Sequence, residues 1–197
     1  MKKIHSIIYV IILLSFTSCF FPYGEIIYEE DDYKGIEKLY IVFDVYANPS
    51  KTNYGYIYYS KKTKLKFEKL VYKDSQTIVG LKIYTSAKPE ENMENYVYIK
   101  TNKNIHKLKI NLLNSTYTNN DMTYRKDTTI EIKNNNLSSY ISKRIEAKII
   151  LPDNLICEIS FTDVFNIRYY IDDIPYDVTL NHERIKKLKK LLINYHI

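Results

Sequence analysis

Leu39-Tyr40-Ile41-Val42-Phe43-Asp44-Val45-Tyr46 is the stretch that decides the fold class. Leu39, Ile41, Phe43 and Val45 fall on one side of an extended chain, and Tyr40, Val42, Asp44 and Tyr46 on the other, because successive strand side chains point to opposite faces. A wholly apolar face beside a mixed one predicts a half-buried strand. Asn48-Pro49-Ser50 closes it with a turn signal.

The same reading extends outward. Tyr54 to Ser60 and Leu65 to Tyr72 read as strands joined by Lys61-Lys62-Thr63, and Ile78 to Thr85 as another, stopped by Pro89. Tyr96 to Lys100, Lys107 to Leu113 and Asp127 to Lys133 follow. Arg144 to Leu151 and Leu155 to Phe161 flank Pro152-Asp153-Asn154, read as a hairpin turn, and Asn166 to Ile171 completes the series. Asp172-Asp173-Ile174-Pro175 reads as the turn leading to a terminal helix. The Asn/Ser/Thr-rich stretches Asn114 to Asp121 and Asn134 to Ser139 read as loops, and Leu137 to Lys143 as a helical turn. About ten short strands rich in Ile, Val, Tyr and Thr predict a mainly β fold, an antiparallel β-sandwich or open barrel.

One helix signal is strong. Asn181 can cap, Glu183 puts negative charge in the first turn, and Ile185, Leu188, Leu192 and Tyr195 recur at helical spacing. This predicts a C-terminal amphipathic α-helix over 181–195 whose apolar stripe packs on the sheet while its lysines face out. The same pattern would suit a helix lying on anionic lipid.

Composition narrows the function classes. The 197 residues hold 45% apolar and 26% charged side chains, ordinary for a globular chain. Two Cys exclude a disulfide-stapled scaffold and a four-Cys zinc site. Four Gly are too few for a phosphate-cradling loop, and no Gly-x-Ser-x-Gly elbow occurs. His106, His182 and His196 show no metal-ligand spacing. Cys157, in an apolar strand-like run, reads as a buried thiol, and nothing in the sequence brings it to His106 as a nucleophile pair. The adjacent acids Glu90-Glu91 and Asp172-Asp173 would point to opposite strand faces and do not converge on one substrate. No catalytic residue, metal site or cofactor is expected.

The tyrosines suggest binding instead. There are 21 Tyr and no Trp. In Tyr54-Gly55-Tyr56-Ile57-Tyr58-Tyr59, the side chains of Tyr54, Tyr56 and Tyr58 share one strand face, close to Lys62 and Lys64. Tyr offers rigid area and a hydroxyl, so the row reads as a binding patch for a glycan or protein. A codon bias toward Lys, Asn, Ile and Tyr would produce the same row without any ligand.

The N-terminus supplies an address. Met1-Lys2-Lys3 is basic, Ile7 to Leu14 is an unbroken apolar run, and Ser15-Phe16-Thr17-Ser18-Cys19 follows. These are the three regions of a secretory signal peptide, and the run is shorter than the roughly 20 residues of a membrane span. Phe16-Thr17-Ser18-Cys19 resembles the lipobox of bacterial lipoproteins, in the looser form found in spirochaetes, with Phe16 where Leu is usual. The resemblance implies cleavage after Ser18 and a lipid on Cys19 that holds the protein to a bilayer; Phe20 after the Cys favours the outer membrane or cell surface by the same analogy. Residues 1–18 are then a signal peptide, 19–36 a lipidated acidic tether carrying Glu25, Glu29, Glu30, Asp31 and Asp32, and 37–197 a single β-rich domain. Ile26, Ile27 and Tyr28 would alternatively add a first strand to a sheet edge. The expected partners are the bilayer, through Cys19, and an envelope protein or glycan; an exported protein held at a membrane would not meet nucleic acid. The expected function is a non-enzymatic envelope binding module, with an envelope hydrolase or a lipid-free secreted effector as alternatives.

Overall fold

A computed structural model describes residues 24–50, 59–74, 76–120 and 140–193. The signal peptide, Cys19, Tyr54, Tyr56, Tyr58, Tyr195 and the strand expected over 127–133 lie outside the described residues.

The alternating stretch lies in a long strand, β2 (Ile36–Pro49), whose inward residues Leu39, Ile41, Phe43, Val45 and Ala47 are all buried. It pairs antiparallel with β3 (Lys61–Tyr72) from Ile36↔Tyr72 to Ala47↔Lys61. Lys61-Lys62-Thr63, expected as a turn, is therefore strand. The pairing with Val45 to Ala47 carries it on, and the polar run misled because Lys62 faces solvent while Thr63 faces the core.

Next come β4 (Thr77–Ala87), β5 (Met93–Lys100), β6 (Ile105–Lys109), β7 (Leu112–Asn120) and β8 (Tyr140–Ile150), then helix α1 (Asp153–Phe161), the hairpin β9 (Asn166–Ile171) and β10 (Ile174–Thr179), and helix α2 (His182–Ile193). The strands form one curled antiparallel sheet, a half-barrel, in the order β6-β5-β9-β10-β2-β3-β4-β8-β7. Residues Ile27–Asp31, within the expected tether, form β1 on the N-terminal part of β2, where Glu29 accepts from Lys38 Nζ and Tyr40 Oη at 2.8 Å each. The first-strand alternative is the arrangement found.

Consecutive strands β6 and β7 stand at opposite ends of this order, yet only Ile110 and Asn111 separate them. Three Cα–Cα steps span at most about 11 Å, so the sheet must curl until its two edges meet there. Asn111 fastens the joint: its backbone N–H donates to Lys148 O at 2.8 Å, and its Oδ1 accepts from Ile150 N at 2.8 Å. The single strand expected over 107–113 is thus split at a corner, and the loop expected over 114–121 is β7 as far as Asn120. Residues 140–143, expected as part of a helical turn, begin β8.

The largest correction falls after β8. Leu155 to Phe161 is helix, not strand, and Pro152-Asp153-Asn154 opens it instead of turning a hairpin. Pro152, at φ −74 and ψ 153, occupies the N-cap, where its missing N–H costs nothing, and Asp153 suits the helix's positive end. Leu155 and Ile159, four apart, are the buried pair, and Cys157 on the opposite side is exposed, not buried. The turn at Asp172-Asp173 leads into β10 and not into the helix. Both residues take the left-handed conformation, φ 47 and φ 64, which a two-residue hairpin requires and Asp tolerates.

Helix α2 is capped as expected, Arg184 N donating to Asn181 Oδ1 at 3.0 Å, and Ile185, Leu188, Leu191 and Leu192 are buried. Lys69 breaks the apolar pattern of β3's inward face because its Nζ donates to Leu192 O at 3.3 Å, at the negative end of α2. Burial lowers the pKa of that amine. Phe67 centres the core, edge-on to Phe43 at 6.1 Å and to Phe165 at 5.9 Å.

One polar group crosses this core. The hydroxyl of Tyr169 on β9, fully buried, meets Thr63 Oγ1 at 2.8 Å and Thr85 Oγ1 at 3.2 Å on β3 and β4. Tyr169→Phe should lower unfolding stability by about 1–2 kcal/mol in urea titration, since two buried threonine hydroxyls lose a partner. An unchanged midpoint would contradict the bridge.

Candidate functional site

The outward faces of β2, β3, β4 and β8 carry what the core does not need. Register aligns Asp44, Lys64, Tyr84 and Glu146 in one row across the sheet. Tyr46 opposite Lys62, and Ser86 opposite Arg144, lie one step along. Val42, Lys66, Lys82 and Lys148 form the row on the other side. Neighbours in such rows have Cβ atoms about 5 Å apart, so these side chains share one surface.

Part of that surface is internally neutralised. Glu68 is buried between Lys66 Nζ at 2.9 Å and Lys82 Nζ at 3.1 Å. Burial alone would raise its pKa, but the two ammonium groups outweigh it and hold the carboxyl below its ordinary value. Lys66 also sits 3.8 Å from the centre of the Tyr40 ring. Tyr84 donates to Glu146 Oε1 at 3.3 Å; burial first, then the Glu146 charge, pushes its hydroxyl up to about 12.

The rest of the face is left positive. Lys62 is exposed and Lys64 half-buried, and neither they nor Arg144 form an ion pair among the described residues. The Arg144 guanidinium lies 5.5 Å from the Tyr84 ring centre. Together with Asp44, Ser86, Thr118 and Lys143 these residues line a cavity of about 430 Å³, in which the Asp44 carboxylate stands against the four cations Lys62, Lys64, Lys143 and Arg144. Tyr46 and Tyr59 are 67% and 81% exposed. A positive, hydroxyl-lined hollow rimmed by aromatic rings can bind an anionic, hydroxyl-bearing group by charge-assisted hydrogen bonds and stacking.

Of the residues expected to form a binding patch, Lys62 and Lys64 both line this cavity, whereas Tyr54, Tyr56 and Tyr58 fall outside the described residues. Tyr46 and its outward direction were legible in the alternation of β2. Tyr84 joins the site through the β3–β4 pairing that sets it opposite Lys64, and Arg144 through the β4–β8 pairing, which no local signal reveals.

The second half of the sheet has its own outer hollow of about 550 Å³. Tyr98 and Tyr170 meet edge-on there at 5.9 Å, above the bidentate pair of Arg168 with Asp177 at 2.6 and 2.7 Å. Ser50 donates to the same Asp177 carboxylate, whose pKa is lowered chiefly by Arg168. These contacts fasten the end of β2 to β10.

His106 does not pair with Cys157. Its Nε2 lies 3.0 Å from Glu158, which also accepts from Thr101 Oγ1 at 2.8 Å and Asn104 Nδ2 at 2.7 Å. This clamps α1 to the β5–β6 turn. Among the described residues no group of three His, Cys, Asp or Glu side chains is placed to hold a metal, and no helix is long and apolar enough to cross a membrane.

The clamp has a pH signature. The His106 hydrogen bond first, then those of Thr101 and Asn104, bring Glu158 from its ordinary 4.5 down to about 2. A depressed folded pKa stabilises the protein above the ordinary value, and that stabilisation is lost as pH falls toward 2. Urea midpoints for Glu158→Gln should therefore decline less between pH 4.5 and 2 than those of the parent chain; superimposable declines would contradict the clamp.

No family model, curated protein or solved structure matches this chain.

Proposed function

We propose that this protein is an exported, lipid-anchored envelope protein that binds rather than catalyses, with the outer face of β2, β3, β4 and β8 as its contact surface. The anchor reading is supported by Met1 to Cys19, with its basic start, apolar run and lipobox-like ending. The observation that carries the binding reading is the cluster of Lys62, Lys64 and Arg144, which form no ion pair among the described residues, around a cavity that Tyr84 edges and that holds one carboxylate, Asp44. Lys66 and Lys82 on the same face are, by contrast, taken up by Glu68.

The ligand class that fits is an acidic glycan. Cations take the carboxylate, Ser86 and Thr118 offer hydroxyl partners, and Tyr46 and Tyr84 offer ring faces to a sugar. An acidic protein surface would use the same cations without needing the cavity.

Two expectations follow. Mature protein should take up labelled palmitate and Cys19→Ala should not; label retained in the variant would contradict lipidation at that residue. Cys19→Ala protein should bind an immobilised uronic-acid polymer but not its carboxyl-reduced form. Adding Lys62→Glu, Lys64→Glu and Arg144→Glu should weaken that binding about tenfold or more, at up to roughly 1 kcal/mol per charge. Equal retention by the folded charge-reversed variant would overturn the site; binding only to acidic envelope proteins would overturn the glycan.

A further inference from the structure

Chain length confines the anchor. Gly24, at φ 79, is packed against α2: a Cβ there would lie 3.2 Å from Lys187 Nζ and 3.7 Å from Phe43 Cε1. Only Phe20-Phe21-Pro22-Tyr23, which carries no charge, separates Gly24 from Cys19. Five residue steps span at most about 18 Å. A lipid on Cys19 would therefore hold this part of the body, the flank of α2 around Lys187, within that distance of the bilayer.

The surface so placed is basic. Helix α2 carries Arg184, Lys186, Lys187, Lys189 and Lys190 against Glu183 alone. Lys189 is paired with Asp163 at 3.4 Å, and Arg184 donates to Asp44 O at 3.0 Å. Lys186, Lys187 and Lys190 form no ion pair among the described residues. At 100° per residue Lys186 and Lys190 lie opposite the buried stripe of Ile185, Leu188, Leu191 and Leu192 and are exposed, while Lys187 is half-buried at the edge of that arc, beside Gly24. The apolar stripe is spent on the core, and Ile193, in the last turn, is the exposed large apolar side chain α2 has left to offer acyl chains. The helix also has a row of ammonium groups to set against phosphate. The nearby acids are Glu25, Asp44 and Glu183, the last two lining one hollow with Arg184 and Lys187; those of β1 run away from Gly24, from Ile27 opposite Tyr40 to Asp31 opposite Ile36.

We infer that the Lys186/Lys187/Lys190 face of α2 rests on the anionic phospholipid headgroups of the bilayer that holds the Cys19 lipid. This rests on the lipid-anchor reading above and adds an orientation to it. Lys186, Lys187 and Lys190 stand on α2 and Lys62, Lys64 and Arg144 on the outward rows of the sheet, so the membrane contact and the ligand contact use different cations, although Asp44 lines the hollows beside both.

The test uses the lipidated protein reconstituted into vesicles of phosphatidylcholine, with or without about one-third phosphatidylglycerol, and reads lysine acetylation by mass spectrometry. With phosphatidylglycerol at low salt, Lys186, Lys187 and Lys190 should label about fivefold less. Lys62 and Lys64 should label equally in both vesicles, and the protection should vanish at high salt, where the Debye length falls to about 3 Å. Equal labelling of the three α2 lysines in both vesicles, with Cys19 shown by intact mass to carry lipid, would overturn the orientation and leave the anchor standing. Protection of Lys62 and Lys64 instead would overturn it too. A bare Cys19 in protein exported with its own signal would remove the anchor reading, and the orientation with it. The surface variant Lys186→Gln/Lys187→Gln/Lys190→Gln should lose the lipid-dependent protection of neighbouring Lys189; protection retained there would also count against the contact.

Discussion

Two residue pairs, Tyr176↔Pro49 and Asp177↔Asn48, carry the backbone continuity between the two halves of the sheet. Everything else about the fold is arranged around that short seam. A pairing of two residues contributes little by itself, so side chains must hold the halves together. The Tyr169 hydroxyl reaches from β9 to Thr63 and Thr85 across the core. Its ring stacks on Tyr176 at 5.8 Å. Arg168, Asp177 and Ser50 tie the same junction from outside. At one end Lys61 bonds Glu91 and Ser86, and the buried Lys143 donates to Glu91 O and Asn92 Oδ1, pinning the β4–β5 connection to β3 and β8. On the far side the chain itself closes the curl at Ile110-Asn111.

This construction explains where the polar groups went. Charges that serve the fold are paired and largely out of solvent, as Glu68 is between Lys66 and Lys82 and Glu91 beside Lys61. Among the cations of the described residues that form no ion pair, one group lies on the outer rows of β3 and β8, another on α2, and a third, Lys100, Lys107 and Lys109, on β5 and β6. The ligand-facing rows and α2 carry separate sets of cations that approach each other at Asp44 of β2. One basic face can then serve a ligand while the other meets a membrane, without either competing for the same residues.

The sequence carried the fold class clearly, because alternation in β2, β4 and β9 is a local property that burial on one side imposes. It carried the C-terminal helix for the same reason, down to the Asn181 cap. It failed where local preference and tertiary context disagree. Ile156 and Ile159 favour a strand, but Leu155 and Ile159 at helical spacing bury against the core once Pro152 has stopped β8. Polar Asn114 to Asn120 suggested a loop, but an edge strand with two solvent-facing sides needs no apolar alternation. β10 was hidden by Pro175 and by an Asp-Asp turn in place of the usual Gly-containing one. Of the candidate site, Lys62 and Lys64 were legible as a basic cluster beside tyrosines. Arg144 was not, since a pairing between strands some sixty residues apart leaves no local trace, and Tyr84 needed the β3–β4 register to set it opposite Lys64.

If the seam governs the structure, the two halves cannot unfold separately. Native-state hydrogen exchange as a function of denaturant tests this directly. The account predicts that the slowest amides of β9 and β10 and those of β3 and β4 merge into one opening reaction with the same free energy and the same denaturant dependence. A lower-energy opening confined to β5, β6, β9 and β10, with β2, β3, β4 and β8 still protected, would contradict it.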